Sequence, residues 1–405
     1  MIHKLINLAL RQKIVIFVLA LATLVAGIWA FRELPVDAYP DLSPPKVEII
    51  TQWQGHAAEE VERLITVPLE TELNGAPGLT VMRSLSMYGL SDITLIFEDK
   101  SDSYFDREQI FQRMGDAHLP DGVTPSMAPL FSPSGLIYRY VLESPDRSPQ
   151  ELKVIQDWVL FRRYKSIPGI ADDSGLGGAT RQYQVVLDPN ALNTYHVAVA
   201  DVVTALANNN QNAGGGFYQQ GGQFYYVRGL GRLTDLSDIG NVVVATHHDV
   251  PIYVKSLGKV ELGEAPRLGQ FGYMDNDDAV EGVLLLRTGD AAQTVLERVH
   301  GMTKFLNDRV LPRDVKIHPY YDRTDLITVT THTVEHNLIF GVLLVTLILV
   351  LFLRSVRTGL IVAATIPLAL AAAFLLLHAR HVPVNLLSLG AVDFGILVDA
   401  GVIMV

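Results

Sequence analysis

Residues 14–31 read IVIFVLALATLVAGIWAF, eighteen positions without a charge that follow Arg11 and Lys13. A run of this length approaches the roughly 20 apolar residues needed to cross a hydrocarbon core. It exceeds the apolar core of about 7–15 residues found in a cleaved signal peptide, so it reads as a retained membrane span. Three more apolar blocks follow at 337–353, 359–377 and 386–405, the first of them containing LIFGVLLVTLILVLFL. Pro367 falls inside the third span, where neighbouring helices can satisfy the freed carbonyl. Between the first and second blocks lies a polar segment at 32–336. The pattern predicts a membrane protein with one large aqueous region.

Charge placement orients it. Lys4, Arg11 and Lys13 precede the first span, and Arg354 and Arg357 occupy the short turn between the second and third. The positive-inside rule puts both groups in the cytoplasm and 32–336 outside, with Arg380 as a single exception. Residues 1–13, beginning MIHKLINLALRQ, are expected as an amphipathic segment on the cytoplasmic surface. The chain has 405 residues, is 49% hydrophobic and carries a net charge of −11. Its mean hydropathy is +0.25. Apart from Asp393 and Asp399, all acids fall within 32–336, so that segment holds 26 basic and 41 acidic residues. Such a surface repels phosphate and excludes nucleic acid as a partner. The absence of cysteine excludes disulfides and thiolate metal sites.

Within 32–336 the period alternates between strand and helix. A strand is expected at 46–53, a helix at 57–74, strands at 79–87 and 91–98, and a helix near 104–116. A second unit repeats this grammar with a strand at 136–143, a helix at 149–166 and strands near 170–176 and 181–187. It breaks at Asp188-Pro189 and resumes with GVLLLR at 282–287 and a helix at 290–308. Both read as split βαβ, ferredoxin-like layers, the second interrupted by an insertion at about 189–275. The insertion carries Asn208–Asn210, Asn212, Gly214, Gly215, Gly216, Gly221 and Gly222, then aromatic residues at 224–226. The glycines lack the Lys-Ser/Thr of a phosphate loop; a projecting hairpin fits them better.

The fourth span reads Gly390-Ala-Val-Asp393-Phe394-Gly395-Ile-Leu-Val-Asp399-Ala-Gly401. An aspartate at the centre of a lone spanning helix costs roughly 2.5–3.5 kcal/mol, so two in one span imply work. They lie six residues apart, about 9 Å along the axis and about 120° around it, and both can face a bundle interior. A shielded carboxyl pair that gains and loses protons suits a proton relay. Asp393-Phe394-Gly395 also matches the magnesium-binding triplet of kinases, but no His-Arg-Asp partner occurs. His332 and His336, with Glu335 between them, are spaced to share a helix face as metal ligands, and His247-His248 are adjacent. Solvated or interfacial histidines are the commoner reading of both pairs.

The chain resembles the heavy-metal efflux branch of the resistance–nodulation–division permeases, the cobalt–zinc–cadmium and copper–silver resistance type. The resemblance is carried by Leu34-Pro35-Val36-Asp37-Ala38-Tyr39-Pro40-Asp41, Ile155-Gln156-Asp157-Trp158 and Gly177-Gly178 with Arg181-Gln182-Tyr183-Gln184-Val185. Tyr321-Asp322-Arg323, Asn337-Leu338 and the Asp393–Asp399 stretch complete it. It implies an α+β membrane protein whose split βαβ units are periplasmic porter subdomains, with 189–275 an inserted docking subdomain. It also implies a hairpin at about 210–228 that reaches a neighbouring protomer of a homotrimer, using Asn212, Gly214–Gly216, Gly221 and Gly222. Asp393 and Asp399 match the proton-relay aspartates, and the presence of Asp393 favours divalent cations. Further implications are location in the bacterial inner membrane, proton antiport of a metal cation, and partnership with a periplasmic adaptor and an outer-membrane channel. No cofactor and no enzymatic activity are expected. By the same likeness the chain is an N-terminal half, with a second repeat and the metal-selecting residues beyond Val405. Two other readings stand beside this one. An exporter of organic compounds shares the fold, though the Asp-Phe-Gly form and Gln-Asp-Trp argue against it. A membrane-anchored binding or assembly fragment would not transport at all.

Overall fold

The structure is a computed structural model that describes residues 11–34, 36–37, 43–247, 249–267, 269–380 and 384–385. The chain divides into two compact units. One comprises Met1–Glu143, Leu160–Gly175 and Glu281–Val405, the other Ser144–Val159 and Leu176–Val280.

The first unit contains two four-stranded sheets. In one, the order is Leu79–Met87, Leu90–Phe97, Lys46–Gln52 and Ser126–Met127, all antiparallel. Lys46–Gln52 and Leu90–Phe97 alternate buried and half-buried positions, as the period-2 pattern requires when one face is covered. The covering elements are helical turns at 58–73, with a π-turn over Glu62–Thr66, and the helix Ser103–Met114, whose first amides are capped by Asp102. Ile65, Leu69 and Leu73 recur every fourth residue, and with Ile110 they meet Val47, Ile49, Ile93, Leu95 and Phe97 in one core. The first strand lies between the third and fourth, the order of a split βαβ layer.

The second sheet runs Lys316–Asp322, Phe131–Glu143, Val280–Arg287, Ile170–Leu176. Here too the first strand in the chain lies between the fourth and third. The helix Ala292–Phe305 buries Ala292, Val295, Leu296, Val299 and Thr303. The membership of this sheet differs from the sequence expectation. Arg181–Leu187 does not join it, and pairs along its whole length with Gly258–Glu264 in the second unit. The place is taken by Lys316–Asp322, a strand absent from the sequence expectation and interrupted by Pro319. Proline cannot donate to a ladder, but this strand is at the sheet edge, where that costs little, and a bulge follows at Pro319/Tyr321.

That edge strand continues into a 31-residue helix, Arg323–Leu353, about 46 Å long at 1.5 Å per residue. The apolar block expected from 337 is therefore the distal half of a helix that starts 14 residues earlier. Its apolar stretch is Ile339–Phe352. Among the described residues, two helices are long and apolar enough to cross a membrane, Lys13–Glu33 and Gly359–Ala379. Only 11% of the apolar window of the former is buried, so most of its apolar side chains are exposed. The two pack on each other: Phe31 meets Phe374 at 4.8 Å and Trp29 meets His378 edge-on at 5.0 Å. The block at 386–405 lies outside the described residues.

The second unit centres on the ribbon of Arg181–Leu187 with Gly258–Glu264. Val197, Val202, Val242, Ile252, Val254 and Leu257 form its core, with Val185, Leu187 and Val260 packed against them. From it projects the hairpin Ala213–Gln220/Gln223–Gly229.

Candidate functional site

The hairpin follows from its residues. Gln220 and Gln223 pair across the two-residue turn Gly221-Gly222, whose φ angles are +58° and +77°. Two successive positive φ values define the type I′ turn that matches strand twist, and glycine takes them without steric cost. At the base, Asn212 Oδ1 accepts from Gly231 N at 3.2 Å, and Asn210 Oδ1 accepts from Leu233 N at 3.2 Å. Every residue of both strands is exposed. Phe217 packs edge-on against Phe224 at 5.4 Å, and Tyr218 stacks on Tyr225 at 5.2 Å. A lone two-stranded hairpin is marginally stable in water, and an apolar patch of this kind marks an interaction surface. Thus Asn212, Gly214, Gly215, Gly216, Gly221 and Gly222 lie together on, or at the root of, one projecting arm.

A second constellation lies in the first unit, behind the head of the long helix. Glu281, fully buried, takes a bond from Arg139 Nε at 2.5 Å and another from the Tyr320 hydroxyl. The Arg139 guanidinium also stacks over the Tyr320 ring at 5.4 Å. Burial pushes the Tyr320 phenol up, and the Glu281 carboxylate beside it adds to the shift. Burial works against the charge on Arg139, but its bonds to Glu281 outweigh that and hold it above the ordinary arginine value. Nearby, Tyr140 donates to Asp173 at 3.0 Å and Tyr164 shares a 2.8 Å bond with Thr303. Asp322 caps the long helix through Thr324 N at 2.8 Å, and its other oxygen meets His300 Nε2 at 2.5 Å. The buried Arg323 donates to the Ser134 carbonyl. These bonds clamp the strand-to-helix junction to the sheet. Sequence reading missed the network, apart from quoting Tyr321-Asp322-Arg323. The available signal was Glu281, a lone acid entering the apolar run Val280–Leu286.

Asp393 and Asp399 lie outside the described residues, as does His248. His332 and His336 are exposed on the long helix, and His336 stacks on Phe340 at 6.1 Å. Among the described residues, no group of three or more metal-ligating side chains occurs.

Residues 5–405 match the model of the AcrB/AcrD/AcrF family. The chain belongs to that family. Among AcrB/AcrD/AcrF relatives it is 36% identical to the cobalt-zinc-cadmium resistance protein CzcA of Cupriavidus metallidurans. It is 35% identical to protein HelA of Legionella pneumophila and 34% identical to the cation efflux system protein CusA of Escherichia coli. In all three, 100% of this chain aligns with 39% of the relative. A crystal structure of a heavy metal efflux pump superposes with a TM-score of 0.91 at 42% identity, over 98% of this chain and 40% of that one. The resemblance to the heavy-metal efflux branch of the resistance–nodulation–division permeases is borne out. This AcrB/AcrD/AcrF chain spans about two fifths of the length of those relatives.

Proposed function

We propose that the chain is part of a proton-driven exporter of metal cations in the bacterial inner membrane, with divalent ions favoured. The observation that carries this reading is the full-chain alignment with metal-resistance proteins. The proton relay is assigned to Asp393 and Asp399, on the cost of placing two carboxyl groups in one apolar span. Residues 32–336 are assigned to the periplasm, as porter subdomains with a docking insertion at about 189–275. The exposed aromatic arm supports assembly as a homotrimer, each arm covering its apolar faces on a neighbour. A periplasmic adaptor and an outer-membrane channel complete the pump by likeness to the branch. The strand Lys316–Asp322 runs directly into Arg323–Leu353, so movement of the apolar half of that helix is delivered to the second sheet.

The test uses the full-length permease reconstituted in vesicles. Asp399→Asn keeps the side-chain shape but carries no proton. It is expected to lower metal-driven proton flux at least a hundredfold at unchanged protein level, and Asp393→Asn is expected to lower it less. Full flux from Asp399→Asn would remove the relay assignment.

A further inference from the structure

The helix Ala292–Phe305 and the long helix Arg323–Leu353 are joined through one carboxylate. Asp322 ends the strand Lys316–Asp322 and is the N-cap of the long helix. One of its oxygens accepts from Thr324 N at 2.8 Å, and the other lies 2.5 Å from His300 Nε2. We propose that His300 and Asp322 form a proton-operated latch. The charged imidazole locks the first turn of the long helix to the helix Ala292–Phe305, and loss of its proton loosens that turn.

Histidine is the side chain whose charge changes near neutral pH, so a carboxylate bound to it meets two different partners across that range. An imidazolium gives Asp322 a charge-assisted bond and a Coulomb attraction, whereas a neutral imidazole gives at most one N–H. The effect falls on the cap because the carboxylate is held at both oxygens. While Oδ2 is fixed, Oδ1 is aimed at Thr324 N; once Oδ2 is released, the side chain regains rotamers that leave the amide uncapped. Solvent protons reach the pair, since the His300 side chain is 41% exposed and that of Asp322 21%. The surrounding charges favour the imidazolium. On the face of its own helix, His300 has Glu297 and Lys304, both exposed and opposite in sign. Tyr138 brings its ring to 6.0 Å from the sheet, and Tyr164 reaches Thr303 one turn on. Burial holds both phenols above the ordinary tyrosine value, so they stay uncharged near neutral pH. Arg323 is bound to the Ser134 carbonyl, and Asp325 follows in the first turn of the long helix. The strand Val36–Asp37 packs on the helix Ala292–Phe305 and carries one further acid. The head of the long helix has about half a positive charge, which the whole negative charge of Asp322 outweighs. All the bonded groups belong to the first unit, and the latch rests on none of the export assignments.

Hydrogen–deuterium exchange of the detergent-solubilised full-length permease tests the latch, in a peptide covering residues 320–330 and after correction for the intrinsic pH dependence of amide exchange. Protection of the amides that follow Asp322 is expected to fall at least about threefold between about pH 5.5 and pH 8. The turn capped by Asp102 is the control. Asp102 binds Tyr104 N and Phe105 N, with no histidine partner among the described residues, and protection there is expected to stay constant. His300→Gln keeps a side-chain donor without a charge, and Asp322→Asn keeps a capping oxygen without one. Each is expected to remove most of the pH dependence, whereas a purely structural bond would lower protection by the same factor at both pH values. Melting temperatures report folding independently, and Asp322→Asn serves if His300→Gln does not accumulate. The latch is overturned by wild-type protection that is equal at both pH values, by an equal fall in the Asp102 turn, or by a pH dependence that survives either substitution.

Discussion

Glu281 shows what a single residue commits the fold to. Its carboxylate is fully buried, one oxygen serves Arg139 and Tyr320, and the other has no partner among the described residues. Only Glu281 of the pair is buried, Arg139 being about a third exposed. Removing Arg139 strands the carboxylate at less than the roughly 3–5 kcal/mol of a fully buried pair, whereas replacing both with apolar groups is often neutral. Arg139→Met is therefore expected to destabilise the protein by about 1–3 kcal/mol in thermal unfolding, and Arg139→Met with Glu281→Leu to recover most of that loss. The phenols make a second forecast. Burial pushes Tyr138, Tyr164 and Tyr320 above the ordinary tyrosine value, so the folded protein keeps protons that the unfolded chain releases near pH 10. Their contribution is intact below about pH 10 and falls as pH rises above it, by up to about 1.4 kcal/mol per pH unit for each of Tyr138 and Tyr164 and by less for the more exposed Tyr320. The melting temperature should drop as pH rises above about 10, and less steeply in Tyr164→Phe. None of these partners was legible in sequence, because Arg139, Glu281 and Tyr320 come from three strands far apart in the chain.

At the scale of elements, period and punctuation were readable, while pairing was not. The alternation at Arg181–Leu187 identified a strand but could not say which neighbour it would take. Pro319 is tolerated in its strand through an edge position that only the assembled sheet defines. The contact between Lys13–Glu33 and Gly359–Ala379 was likewise invisible. A Cβ built on Gly27 would lie 2.4 Å from Ala371 Cβ and 2.5 Å from its Cα. No rotamer relieves a clash with backbone, so glycine is what permits this approach. Gly27→Leu is expected to lower stability by about 1–3 kcal/mol through overpacking. Val25→Leu, at a position 60% exposed, should change little. Melting of the detergent-solubilised full-length protein distinguishes the two outcomes.

For the whole molecule, the placement of Arg11, Lys13, Arg354 and Arg357 is the observation with the widest consequence. The proposed placing of 32–336 outside rests on it, and the chain has no cysteine to complicate labelling. Tyr226→Cys, on an arm residue 85% exposed, is expected to react with a membrane-impermeant maleimide added to intact spheroplasts. Reaction only after the cytoplasmic side is opened would reverse the topology, and with it the placing of porter and arm.

Local physics explains what could be read in advance. Long uncharged runs, basic flanks, period-2 and period-3.6 patterns and the Gly-Gly turn each act over a few neighbouring residues. They led from sequence alone to the apolar blocks, most strands and helices and the projecting hairpin, while the family resemblance rested on particular motifs such as Leu34–Asp41 and Gln156-Asp157-Trp158. Only the tertiary structure decided that Lys316–Asp322 completes the second sheet and that Arg181–Leu187 leaves it. It also united the long helix with its capped, ion-paired head. Those outcomes depend on sheet-edge position, burial of charge and the approach of distant side chains, which are set by packing across the chain.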